Sequence, residues 1–207
     1  MTADTEVRRE GPRSKRTLIL SAAIDQFGKV GYEHTKWASI ADEVGIGQTA
    51  LYHYFESKAH CLLTIMRLEL ADSAERVTAA TAGISDPAEA LRAAVAASLE
   101  ATPTDASARR ILQNHMDLLA TERHSVKEED ERLRSRQLVG EIEQDWADMI
   151  TRGIKSGDFV DSDPHLLARL VLALVISVWR WYRPGGKITL DEITALVTDA
   201  TLRVVRK

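Results

Sequence analysis

The sequence predicts an all-α protein: an N-terminal unit of three helices followed by a larger helical bundle. Three observations carry that prediction. Apolar residues recur at three- and four-residue spacing along most of the chain. Ala and Leu abound while aromatics make up only 5%, which favours helix locally. Pro and Gly stand mainly between the periodic stretches, and no alternating run suggests a strand ladder. With 207 residues and 44% hydrophobic content, the chain can bury a sizeable core.

The first helix is expected over residues 14–29, where Leu20, Ala23, Ile24 and Phe27 share a face and Gly28 and Gly31 supply stop signals. Thr35 is placed to cap a second short helix that turns Ile40, Ala41 and Val44 inward, and Gly45 to end it in the left-handed conformation. The turn is Gly45-Ile46-Gly47, and a third short helix covers residues 48–54. Ser57 then caps a fourth helix through Cys61, Leu62, Ile65, Leu68 and Leu70.

Beyond Gly83 the helices lengthen. Asp86-Pro87-Ala88-Glu89 is a start signal, with Asp as cap and Pro at the first helical position, and Leu91, Val95 and Leu99 form the stripe that follows. One further helix holds Ile111, Leu112, His115, Met116 and Leu119. Ser125-Val126-Lys127-Glu128 opens a long helix toward Ile154 with Leu133, Leu138, Ile142, Trp146 and Ile150 among its apolar positions, and Gly157 ends it. Asp163-Pro164 opens a helix over 164–183 that is apolar on nearly every side and so needs burial on two faces. Pro184-Gly185-Gly186 breaks the chain before Thr189-Leu190-Asp191-Glu192 starts a last helix over 189–206.

Composition narrows the function classes. A single cysteine, Cys61, excludes an intrachain disulfide and a Cys-rich zinc site, which suits a reducing cytoplasm. No apolar run precedes Leu18, so no secretory signal is expected. The most apolar stretch, residues 166–178, contains Arg169 and is short for a bilayer, so it reads as a buried helix and no membrane partner is expected. His60 and Cys61 point to different sides of a helix and lack further ligands, so neither a metal site nor a cofactor is expected. No Gly-rich phosphate loop or Ser-His-Asp order is evident, which argues against an enzyme; a helical carrier or enzyme using the bundle as a pocket is the rival reading.

A net charge of −4 argues against coating nucleic acid by bulk electrostatics. Basic residues are instead concentrated at Arg8, Arg9, Arg13, Lys15 and Arg16. Residues 1–13 read equally as a basic arm reaching for phosphate and as a solubilising tail. Two short helices joined by a Gly-containing turn and braced by an amphipathic helix have the geometry that lets one helix enter the major groove, which assigns residues 14–60 to a helix-turn-helix domain. Ala50 and Leu51 should face inward with Phe55 behind them, leaving Gln48, Thr49, Tyr52, His53 and Tyr54 toward double-stranded DNA beside Lys36 and Gly47. Gln48 suits an adenine edge and Thr49 a thymine methyl. The Tyr52 and Tyr54 hydroxyls, Thr35 and Lys58 suit phosphate contacts that orient without reading sequence.

These residues resemble the TetR-type repressors. The resemblance runs from Ile19-Leu20-Ser21-Ala22-Ala23 through Phe27, Gly31-Tyr32, Thr35, Ile40-Ala41, Val44-Gly45 and Leu51-Tyr52-His53-Tyr54-Phe55 to Lys58. It implies a homodimer on a palindromic operator, released by a ligand. Gly47 stands where the family often has Ser, Gln48-Thr49 replaces a common basic-then-small pair, and Trp37 is larger than usual, so the operator is left open.

Residues 61–207 are then the effector-binding and dimerisation domain, and the helices over 164–183 and 189–206 look like the pair that meets its mate in family dimers. Trp179-Arg180-Trp181-Tyr182-Arg183, with Gly153-Ile154-Lys155-Ser156-Gly157-Asp158-Phe159 upstream, looks like the branch that responds to acyl-CoA thioesters. Two readings stand for Trp179, Arg180, Trp181 and Arg183: an apolar slot with an arginine for phosphate or carboxylate, or dimer core with arginines at a helix end. His115, Met116 and Trp146 likewise read as pocket wall or as core.

Overall fold

The computed structural model describes residues 12–207, and the arm expected over residues 1–13 lies outside them except for the two residues that open the first helix. Among the described residues the fold is all-α, and the chain divides into two compact units between Leu62 and Leu63.

The first unit holds α1 (Pro12–Val30), α2 (Trp37–Val44), α3 (Gln48–Tyr54) and the start of α4 (Lys58–Thr81). Of the apolar positions expected inward from helical spacing, Leu20, Ala23, Phe27, Ile40, Ala41, Leu51 and Phe55 are buried, Ile24, Val44 and Ala50 are only half-buried, and Ile19 adds to the core. Full burial of such side chains is worth about 1.5–3 kcal/mol each, so this small unit depends on every one of them. Gly45 ends α2 at φ 68°, its amide donating to the Ala41 and Asp42 carbonyls. Only glycine enters that region without a steric cost, which is why the turn falls there. The Ser57 hydroxyl accepts from the His60 amide at 2.9 Å and caps α4.

Thr35 behaves differently from its expected capping role. The residue at the cap of α2 is Lys36, which makes no side-chain cap bond. Thr35 is buried and its hydroxyl donates back to the Gly31 carbonyl at 2.8 Å and the Gln26 carbonyl at 3.3 Å. The Thr35 amide also donates to the Gly31 carbonyl at 3.1 Å, so backbone and side chain of Thr35 together fasten the turn that follows α1.

The second unit holds the rest of α4, α5 (Pro87–Leu99), α6 (Pro103–Asn114), a 3₁₀ turn (Met116–Leu119), α7 (Val126–Ser156), α8 (Pro164–Trp181) and α9 (Leu190–Val205). Capping chemistry fixes most of these starts. Asp86 accepts from the Ala88 and Glu89 amides, Ser125 from Glu128, Asp163 from His165 and Leu166, and Thr102–Asp105 and Thr189–Glu192 form reciprocal capping boxes. The single helix expected through His115 is instead two elements, because α6 ends with His115 as its cap and a 3₁₀ turn follows. Arg132, buried on α7, donates to the Leu119 carbonyl at 3.0 Å and holds that turn.

The far end of α7 is closed by Phe159. The amides of Asp158 and Phe159 both donate to the Gly153 carbonyl at 3.0 Å, Gly157 sits at φ 86°, and the buried Phe159 ring lies against the backbone of Gly153. An isolated bridge joins Phe159 to Arg206.

α8 stops at Trp181, two residues short of expectation, with Tyr182 as cap. By length and composition it is the one helix among the described residues that qualifies as a membrane span. One side, with Leu167, Val171, Val175 and Val178, is packed into the core of the unit. The other side exposes Leu166, Leu170, Leu174 and Trp181, and α9 exposes Leu196 to 71%.

Candidate nucleic-acid interface and effector cavity

In the first unit α3 turns Leu51 inward, fully buried, with Phe55 buried behind it. Because helical neighbours point 100° apart, this leaves Gln48, Thr49, Tyr52 and His53 exposed together, with Tyr54 half-buried. Gly47 precedes the helix in an extended conformation and, having no side chain, caps nothing. Lys36 is exposed at the start of α2. Gln26 on α1 donates to the Glu43 carboxylate on α2 at 2.7 Å, which fixes the two bracing helices to each other.

Two residues assigned to phosphate contact are otherwise engaged. The Lys58 ammonium donates to the carbonyls of Tyr32 at 2.6 Å, Thr35 at 3.1 Å and Glu33 at 3.3 Å. An ammonium has three donors, and all three are used inside the protein. Thr35, buried and bonded to Gly31, presents no hydroxyl proton outward. Arg16, grouped by charge with the basic arm, is half-buried on α1 with its guanidinium 4.7 Å from the Phe55 ring centre. Burial pushes the Cys61 thiol far above its ordinary range, so this cysteine packs as an apolar group.

The second unit holds a partly open cavity of about 260 Å³ between α4, α6, α7 and α8. Its walls are largely apolar, with Leu70, Leu112, Ile142 and Val175 among them. Of the residues singled out by sequence, Trp146, Trp179 and Met116 line it. His115 does not, since it is the cap between α6 and the 3₁₀ turn. Arg180 and Trp181 are exposed, and Arg183 turns back to donate to the carbonyls of Tyr182 at 2.9 Å and Arg180 at 3.2 Å, closing the end of α8. In this stretch only Trp179 is a cavity residue. The physical reason is helical phase: Trp179 and Trp181 stand 200° apart on one helix, so a wall that takes one excludes the other.

The wall also contains charged groups that the sequence reading did not pick out. Arg109, 6% exposed, lies with its guanidinium 4.7 Å from the Trp179 ring centre and donates to the Glu100 carbonyl at 2.7 Å. Glu69 of α4 faces it, with 3.8 Å between its Oε2 and Arg109 Nε. Burial pushes the Glu69 carboxyl up, against the pull of Arg109, and burial likewise brings the Arg109 guanidinium down to about 10. Asp145, also on the wall, is pushed up by burial and by the neighbouring carboxylates of Asp148 and Glu141.

Comparison with known proteins agrees with both units. Residues 19–65 match the family of bacterial regulatory proteins described as the tetR family, and residues 85–205 match the tetracyclin repressor-like C-terminal domain. The chain is 32% identical over 185 residues to the HTH-type transcriptional repressor KstR2 of Rhodococcus jostii, covering 88% of this chain and 87% of that protein. The solved structure of ketosteroid transcriptional regulator KstR2 of Mycobacterium tuberculosis is 27% identical, with a TM-score of 0.76 over 95% of this chain and 97% of that one. The structure of AibR in complex with isovaleryl coenzyme A and operator DNA, 21% identical, has the same fold, with a TM-score of 0.76 over 90% of this chain and 97% of that one. The helix-turn-helix around Gly45, the separate helical unit that follows it in the chain and these matches together place the chain in the TetR family of bacterial transcriptional regulators.

Proposed function

We propose that this protein is a homodimeric repressor, released from a palindromic operator by a small hydrophobic effector such as an acyl-CoA thioester. One observation carries the reading: α3 buries Leu51 and Phe55 while exposing Gln48, Thr49, Tyr52 and His53 in one group. A helix that served packing alone would not need an outward run of hydrogen-bonding side chains, whereas a helix in the major groove does. The protein acts in the cytoplasm, on DNA, without a catalytic step.

The bare sides of α8 and α9 support the dimer. Leu166, Leu170, Leu174 and Leu196 form an apolar surface that a second copy would cover in an isologous interface. Two copies set their reading helices one DNA turn apart, which makes the operator palindromic.

The cavity supports the effector. At about 260 Å³ it is near the lower end of ligand pockets, which run from roughly 300 to 1,000 Å³, so it takes an acyl group and leaves the nucleotide carrier outside. AibR, alike in fold, was solved with isovaleryl coenzyme A and operator DNA. Helix α4 contributes to both units, and ligand beside Glu69 and Leu70 acts through it to favour the arrangement that holds DNA weakly. Linkage then requires operator to weaken ligand binding by the same factor.

The test is a mobility shift on DNA flanking the protein's own gene, repeated with acyl-CoA thioesters, free acids and hydrophobic drugs. Release by thioesters is expected. Release by drugs or free acids alone replaces the thioester, and an operator complex indifferent to all three removes the effector.

A further inference from the structure

Three of the four buried side-chain atoms that lack a hydrogen-bond partner among the described residues belong to one cluster: Glu69 Oε2, Arg76 Nη2 and Arg109 Nε. Glu69 and Arg109 both line the cavity, from helices forty residues apart in sequence. The 3.8 Å between Glu69 Oε2 and Arg109 Nε is within reach for charge attraction but too long for a hydrogen bond. The guanidinium is held in place from two other directions, by its bond to Glu100 and by the Trp179 ring beneath it, so it cannot move to close that gap. A buried donor and a buried acceptor therefore stand side by side unfulfilled, which costs stability in a protein with no use for them.

We infer that Glu69 and Arg109 form the polar anchor of the cavity and select an effector whose cavity-bound part carries a hydroxyl group on an otherwise apolar body. The inference rests on the effector reading of the cavity given above. A hydroxyl is the small neutral group that satisfies both atoms at once, donating its proton to Glu69 Oε2 and accepting from Arg109 Nε. A ketone accepts from Arg109 and leaves Glu69 unfulfilled. A carboxylate meets the charge of Glu69 at close range. Both atoms are closed to water as the cavity stands. The ligand reaches them by turning the Glu69 carboxylate, whose side chain is 16% exposed against 7% for Arg109.

The experiment is calorimetric titration of the full-length protein with three matched probes: 1-octanol, 2-octanone and octanoate. The alcohol is expected to bind about tenfold more tightly than the ketone and more tightly still than the carboxylate. In Glu69→Gln the side-chain amide offers a donor as well as an acceptor, so the preference of alcohol over ketone disappears. Arg109→Lys keeps the charge but loses the fixed Nε–H, and should lose about tenfold in alcohol affinity; it carries the comparison if Glu69→Gln fails to fold. Arg134→Gln, on the exposed side of α7, retains the wild-type order. Tightest binding by octanoate, equal binding of alcohol and ketone, or no binding of any probe up to its solubility overturns the anchor. Operator binding measured on the same samples separates the two readings. A protein that prefers the alcohol but ignores DNA contradicts the regulator alone, and one that binds operator without that preference contradicts the anchor alone.

Discussion

Lys58 donates a 2.6 Å hydrogen bond to the carbonyl of Tyr32 while its ammonium stands 4.4 Å from the centre of the Tyr32 ring. This one side chain ties the start of α4 to the loop between α1 and α2, and thereby sets how the reading helix is carried. Lys58→Met is expected to destabilise the first unit by about 1.5–3 kcal/mol, the range for hydrogen bonds to a charged group. Operator affinity falls with it, but the salt dependence does not change, because no phosphate contact is lost. Lys36→Met should do the reverse, leaving stability intact and lowering the slope of log affinity against log salt by about 0.9 for each protomer, about 1.8 for the dimer. Denaturant melts and fluorescence-anisotropy titrations at several salt concentrations check both.

Gln48 and Thr49 are exposed at the start of α3, where side chains meet base edges. Gln48→Ala and Thr49→Ala are each expected to cost about 1–3 kcal/mol of discrimination at one position of each half-site, with affinity for unrelated DNA unchanged. Binding to operators altered one base pair at a time measures this.

Leu170 and Leu196 are 48% and 71% exposed on α8 and α9. Leu170→Asp should leave the fold intact but convert a dimer into a monomer in equilibrium sedimentation, with a large loss of operator affinity. A wild-type monomer at micromolar concentration contradicts the dimer.

A Cβ on Gly153 would stand 2.1 Å from the Phe159 ring, far inside contact distance. Gly153→Ala should destabilise the second unit by about 1–3 kcal/mol through overpacking, and Phe159→Leu in the same chain should recover part of it. Chemical denaturation reads the difference.

The Arg132 guanidinium, bonded to Glu129 at 2.6 and 2.7 Å, and then the Arg123 amide hold the Glu129 carboxyl down at about 2. A carboxyl with a depressed folded value contributes stability that is complete above its unfolded value near 4.5 and is lost as pH falls toward 2. The melting-temperature gap between wild type and Glu129→Gln should therefore be widest at neutral pH and close between about pH 4.5 and 2.

Much of the fold was legible because helix starts and stops are local chemistry. Gly45, Asp86-Pro87, Ser125, Gly157, Asp163-Pro164 and the Thr189 box each act within a turn of their own position. The break at His115 was not legible, since the apolar stripe runs on through Met116 and Leu119 and what holds the turn is Arg132 of another helix. The outward face of α3 could be read from Leu51 and Phe55 alone. The engagement of Lys58 could not, because its acceptors are loop carbonyls some twenty-five residues away. Nor could the charged wall of the cavity. Arg109 and Arg110 are identical neighbours in sequence, and only packing against Trp179 decides which turns inward.

The most direct test of the central claim is selection of binding sites from random duplex DNA by the purified protein. Enrichment of an inverted repeat whose half-sites lie about one helical turn apart, bound by two copies, is the result expected. Failure to enrich any sequence, or binding that shows no preference and vanishes with modest salt, would contradict it.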